Sequence, residues 1–127
     1  MPYIYSGNVV SEIATVSSLV ADIIDKLSSR LDKEQLMDLR LILSELMING
    51  CEHGNENNRR KFVSLDLVVN PTAINVVVSD EGKGIGIQDF KMNPEKLSCS
   101  GRGLKIVKAL CDEFRIEDTN IYCTLYR

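Results

Sequence analysis

The spacing of apolar residues switches between two periods along this chain, and those switches limit what it can fold into. From residue 11 to about 53, apolar side chains recur at three- and four-residue steps. From 61 to 79 they come instead in dense runs, Phe62-Val63-x-Leu65-x-Leu67-Val68-Val69 and Ile74-x-Val76-Val77-Val78. The first spacing lines one face of a helix; the second suits strands buried on at least one side. Residues 11–30 carry Ile13, Val16, Val20, Ile23, Ile24 and Leu27, which predicts an amphipathic helix with Ser11 as its N-cap. Asp32 with Gln35 three residues on resembles a capping box, opening a second helix that runs to about His53. Gly54 and Asn55-Glu56-Asn57-Asn58 stop it.

Asn70-Pro71-Thr72 divides the apolar runs 61–69 and 73–79, which predicts an antiparallel hairpin. Residues 3–10 suit a short leading strand. Residues 114–118 and 121–126 suit a closing hairpin across Asp118-Thr119-Asn120. Gly101-Arg102-Gly103 opens a third helix with Leu104, Val107, Leu110 and Cys111 on one face. Between them, Asp80 to Ser100 holds Gly82, Gly84, Gly86 and Pro94, a long stretch suited to a functional lid or to disorder. The expected fold is an α+β two-layer sandwich: a mostly antiparallel mixed sheet with about three helices on one face.

At 127 residues the chain has room for one domain, taken as 1–127. Its net charge of −3 and pI of about 5.2 argue against direct nucleic-acid binding, which needs a basic surface. No apolar run approaches the roughly 20 residues of a membrane span, and no membrane association is expected. The start, Met1-Pro2-Tyr3-Ile4-Tyr5-Ser6, has neither the basic nor the apolar region of a signal peptide, so a cytoplasmic location is expected. Cys51, Cys99, Cys111 and Cys123 form no C-x-x-C pair, and they are expected to be small buried residues, with Cys99 the best candidate for an exposed thiol.

Three clusters stand out. Glu45, Asn49 and Glu52 fall at i, i+4 and i+7 within an apolar helix. They form either a solvated polar stripe or a site where a base and a metal-binding amide oxygen meet; magnesium accepts a single protein oxygen when phosphates and water supply the rest. In the second, the apolar strand 74–79 ends in Asp80 before Gly82, Gly84 and Gly86. This is either an ordinary acidic turn or a strand end where backbone and an acceptor carboxylate approach a ligand. Neither G-x-G-x-x-G nor G-x-x-x-x-G-K-[ST] fits it. The third, Ser100-Gly101-Arg102-Gly103-Leu104, is either a plain helix start or an anion site built from free N–H groups, with Arg102 adding charge. Lys83, between two glycines, faces phosphate or solvent.

Read together, Glu45-x-x-x-Asn49, Asp80-x-Gly82-x-Gly84-Ile85-Gly86 and Gly101-x-Gly103-Leu104 resemble the N, G1 and G2 boxes of the GHKL (Bergerat-fold) ATPases. The stretch Leu39-Arg40-Leu41-Ile42-Leu43-Ser44-Glu45 resembles the anti-sigma factors that are also serine protein kinases. The resemblance implies binding of ATP and Mg2+. Asn49 would hold the magnesium, and Asp80 would accept the adenine amino group. Gly84 and Gly86 would let the lid bend. Gly101, Arg102, Gly103 and Leu104 would face the phosphates, and Glu45 would be the general base. A hydroxyl nucleophile benefits from such a base whereas an imidazole does not, which favours serine or threonine over histidine as the acceptor. The implied partners are a sigma factor and a STAS-type anti-anti-sigma protein. A homodimer through a strand near Tyr3–Val9 is implied by analogy. The alternatives are an ATP-dependent binding module without transfer and a slow stand-alone ATPase.

Overall fold

The computed structural model describes residues 1–82 and 98–127. Strand β1 (Tyr3–Val10) leads into helix α1 (Ile13–Leu27) and helix α2 (Lys33–Asn49), which continues into one π turn over Gly50–Gly54. Strands β2 (Phe62–Val69) and β3 (Ala73–Ser79) follow, then helix α3 (Ser98–Leu110) and strands β4 (Glu113–Glu117) and β5 (Asn120–Tyr126). The sheet order is β1-β2-β3-β5-β4, and all four pairings are antiparallel. The expected α+β sandwich is the one observed, with no parallel pair among the described strands.

Alternation along the strands decides which face the helices cover. Val63, Leu65, Leu67 and Val69 on β2 and Ile74, Val76 and Val78 on β3 are buried on one side. Val16, Val20, Ile23 and Leu27 of α1 pack over them with Leu39, Ile42, Leu43, Leu46 and Met47 of α2 and Leu104 and Val107 of α3. The opposite face carries polar cross-strand pairs: Ser64 donates to Asn8 at 2.7 Å, Thr124 donates to Asn75 at 3.0 Å, and the Arg115 guanidinium lies 4.2 Å from the Tyr122 ring centre.

The capping box on α2 forms as expected. Gln35 N–H donates to Asp32 Oδ1 at 2.8 Å, and Asp32 N–H donates to Gln35 Oε1 at 3.2 Å. Ser11 is not a cap. Helix α1 begins one residue later, with Glu12 at the N-cap position and no side-chain capping bond. The Ser11 hydroxyl instead donates to the Lys61 carbonyl at 2.9 Å, tying the end of β1 to the segment before β2. Cys51 and Cys123 are buried and Cys111 is partly so; the Cys99 side chain lies outside the described residues.

Candidate functional site

Helix α2 supplies the base of the site. Glu45 and Asn49 are one turn apart, about 6 Å along the axis, and so share a face. That face does not reach Glu52 at helical spacing. After Asn49 the backbone widens into the π turn, in which Asn55 N–H donates to the Gly50 carbonyl five residues back, at 2.8 Å. Glu45 is half-buried and Asn49 is buried, with 7% of its surface exposed.

Asn49 Nδ2 is buried with no hydrogen-bond partner among the described residues. A buried amide in that state is costly, so its presence points to a partner that arrives from elsewhere. A half-turn about χ2 exchanges nitrogen and oxygen at that point, and an amide oxygen is a suitable magnesium ligand. The residue fits the cation that the sequence implied.

Asp80 is positioned by parity. It follows Ile74, Val76 and Val78 at two-residue steps, so its side chain emerges on the helix-covered side where the sheet ladder ends. Its carboxylate packs directly on Gly54, whose missing Cβ leaves the space it occupies. A Cβ on Gly50 would lie 3.6 Å from Asp80 Cβ, so the strand end sits against the π turn. Asp80 Oδ1 accepts from Gly82 N–H at 2.8 Å. Burial pushes the Asp80 carboxyl above its ordinary value; the Gly82 N–H and the charge of Lys61 pull the other way.

Helix α3 closes the third side. It begins at Ser98, three residues before the expected start, so Gly101 is its fourth residue and Gly103 its sixth. The four leading N–H groups, free of intrahelical partners, belong to Ser98–Gly101. Those of Gly103 and Leu104 fall within the helical ladder. Gly103 is buried against the Glu45 carboxylate, and a Cβ there would collide with it. Leu104 is fully buried in the core. Gly101 and Arg102 lie on the same helix, and the Arg102 side chain lies outside the described residues. Gly84, Gly86, Lys83 and most of the expected lid lie outside the described residues.

Gly103 of α3 thus meets Glu45 of α2, and Asp80 at the end of β3 meets Gly50 and Gly54 of the π turn that continues α2 from Asn49. Helix α2 and its π turn carry one unsatisfied amide and make two carboxylate contacts, Glu45 with Gly103 and Asp80 with Gly54. This set can offer an acceptor to an amine, an oxygen to a cation and a base to a hydroxyl. Sequence reasoning missed Gly54 and Asn55, taking both as a helix stop. Asn55 is fully buried and fully bonded: its amide donates to Ser11 Oγ at 2.8 Å and to the Phe62 carbonyl at 2.9 Å, and accepts from Glu81 N–H at 2.7 Å. A buried Asn in a polar run carries no periodic signal.

The chain matches the family model of the histidine kinase-like ATPase domain over residues 9–125. It is 30% identical over 100 residues to an anti-sigma F factor of Geobacillus stearothermophilus, covering 73% of this chain and 68% of that protein. It is likewise 30% identical over 104 residues to an anti-sigma F factor of Bacillus cytotoxicus, covering 73% and 70%. A third anti-sigma F factor, from Clostridium novyi, is 30% identical over 93 residues, covering 68% and 64%. On these matches, the chain belongs to the histidine kinase-like ATPase (GHKL) family, in the branch of the anti-sigma factors.

Proposed function

We propose that the chain is an ATP-dependent anti-sigma switch, a single domain over residues 1–127, that binds a sigma factor and phosphorylates a serine or threonine of a STAS-type antagonist. The observation that supports the reading is the buried, unpartnered amide of Asn49 on α2, whose Glu45 meets Gly103 of α3 and whose π turn meets Asp80. Asp80 accepts the adenine amino group. Asn49 holds Mg2+, whose charge neutralises the phosphates. Gly84 and Gly86 let the lid bend around the nucleotide. Gly101 and Arg102 in the first turns of α3 face the phosphates, while Gly103 seats the helix on Glu45 and Leu104 anchors it in the core. Glu45 takes the proton of the partner's hydroxyl as the new O–P bond forms and the bond to the departing ADP breaks.

β1 supports a homodimer as part of the same reading. It is an edge strand of eight residues whose exposed positions, Ile4, Ser6 and Asn8, carry no charge. The opposite edge, β4, exposes Glu113, Arg115 and Glu117 and is guarded by charge.

The test is transfer of labelled γ-phosphate to a STAS protein by the wild type and by Glu45→Ala. The reading expects labelled serine or threonine with the wild type, and loss of labelling in the variant with ATP binding retained. ATP bound by the wild type with no label passed to any STAS protein, and sigma-factor binding that still requires ATP, would replace it with the binding-module reading. At a hundred times its dissociation constant, Mg-ATP adds about 2.7 kcal/mol of stability, a rise of several degrees in Tm.

A further inference from the structure

Asp80 stands where the β3 ladder ends. Ser79 is the last residue of β3 paired to β2, opposite Ser64. Beyond it the chain has no strand to hold it, and a short acceptor carboxylate would be free to turn with its backbone. Two consecutive residues of the turn after α2 take over. Gly54 lets the Asp80 carboxylate rest on its Cα. Asn55 Oδ1 accepts from Glu81 N–H at 2.7 Å, and that N–H belongs to the planar peptide unit joining Asp80 to Glu81. The Glu81 carboxylate returns to Phe62 N–H, whose own carbonyl accepts from Asn55. The Asp80–Glu81 peptide plane is therefore fixed to the start of β2 through one buried amide.

We propose that Asn55 is a positioning residue that sets base selectivity: it fixes the Asp80 carboxylate to accept from the adenine amine and to reject guanine. The proposal rests on the reading of Asp80 as the adenine acceptor. A guanine presents a carbonyl oxygen where adenine presents an amino group, so a rigid carboxylate faces an acceptor and is left unpaired. A loosely held carboxylate turns away and discriminates less. Asn55 is suited to the task because it is fully buried and its amide makes three bonds. Its Nδ2 reaches Ser11 Oγ and the Phe62 carbonyl, so the amide cannot flip without losing them.

Ser11 provides the control. Ser11→Ala removes a bond from the far side of the same network and leaves the Asn55–Glu81 bond in place. The experiment measures Kd for Mg-ATP and Mg-GTP on the wild type, Asn55→Ala, Asn55→Ser and Ser11→Ala. It also follows amide exchange at Glu81 in the nucleotide-free proteins. The expected result is a wild type that prefers ATP, and Asn55 variants whose ATP/GTP ratio falls roughly tenfold, the size of one lost hydrogen bond. Their Glu81 amide should exchange at least about tenfold faster. Ser11→Ala should melt lower but keep the ratio and the protection. Asn55→Ser keeps the test open if the alanine variant does not fold.

Variants of Asn55 that lose only Tm, with the wild-type ratio intact, overturn the proposal and leave the adenine reading standing. A wild type that binds neither nucleotide, or both alike, overturns the adenine reading and this proposal with it.

Discussion

Asp80 is a residue whose environment works against its own charge. Folded, it keeps its proton to a higher pH than in the unfolded chain, where its ordinary value is 3.8, chiefly because burial disfavours the ionised form. The stability this group contributes is present below the unfolded value and is lost as pH rises through the raised folded value. At neutral pH the ionised carboxylate therefore opposes folding. Asp80→Asn keeps an oxygen for the Gly82 N–H and removes the charge. It should melt above the wild type at pH 7, with the difference vanishing below about pH 4. A variant that melts lower at pH 7 would show that the Gly82 bond outweighs the burial. Asn49 illustrates the same division of labour: an amide that costs stability in the folded chain is explained by what it binds.

At the scale of elements, the glycines report how closely the parts are pressed together. Gly103 is inside α3, where alanine is favoured over glycine by about 1 kcal/mol. The added methyl meets the flexible end of Glu45 rather than backbone. Gly103→Ala should hold or raise Tm while displacing the Glu45 carboxylate. Gly82 is different, because a Cβ there runs into the Gly54 carbonyl and Cα, which cannot move aside without moving the π turn. Gly82→Ala should lower Tm, and thermal melts of the two variants side by side check the contrast. Equal losses in both would mean that Glu45 is held as rigidly as backbone. The π turn itself is the element that brings Gly54 and Asn55 under the end of β3; a regular helix through the same residues would point them elsewhere.

Across the whole molecule, one core joins the three helices to one face of the sheet, and the site sits at its rim. Leu43 is fully buried in that core, two residues before Glu45. Leu43→Ala should cost about 2–5 kcal/mol in urea unfolding, by lost transfer energy and the cavity left behind. A cost below about 1 kcal/mol would mean that the layers collapse onto the gap. The element order, the sandwich and the capping box at Asp32 were legible in the chain, because each follows from a local period or a local hydrogen bond. Glu45 and Asn49 were singled out by their spacing on one helix, and Asp80 by its place at a strand end; only the family resemblance joined them. The missed features are long-range. Ser11 had the residue type of a cap, but Lys61, fifty residues away, claimed its hydroxyl. Asn55 looked like a turn residue, and only the approach of β1, β2 and Glu81 gave its amide three partners. Helix α3 begins three residues before the expected start. Periodicity determines which face of an element is buried. Which polar atoms meet across elements depends on how the elements pack, and only the tertiary structure decides that.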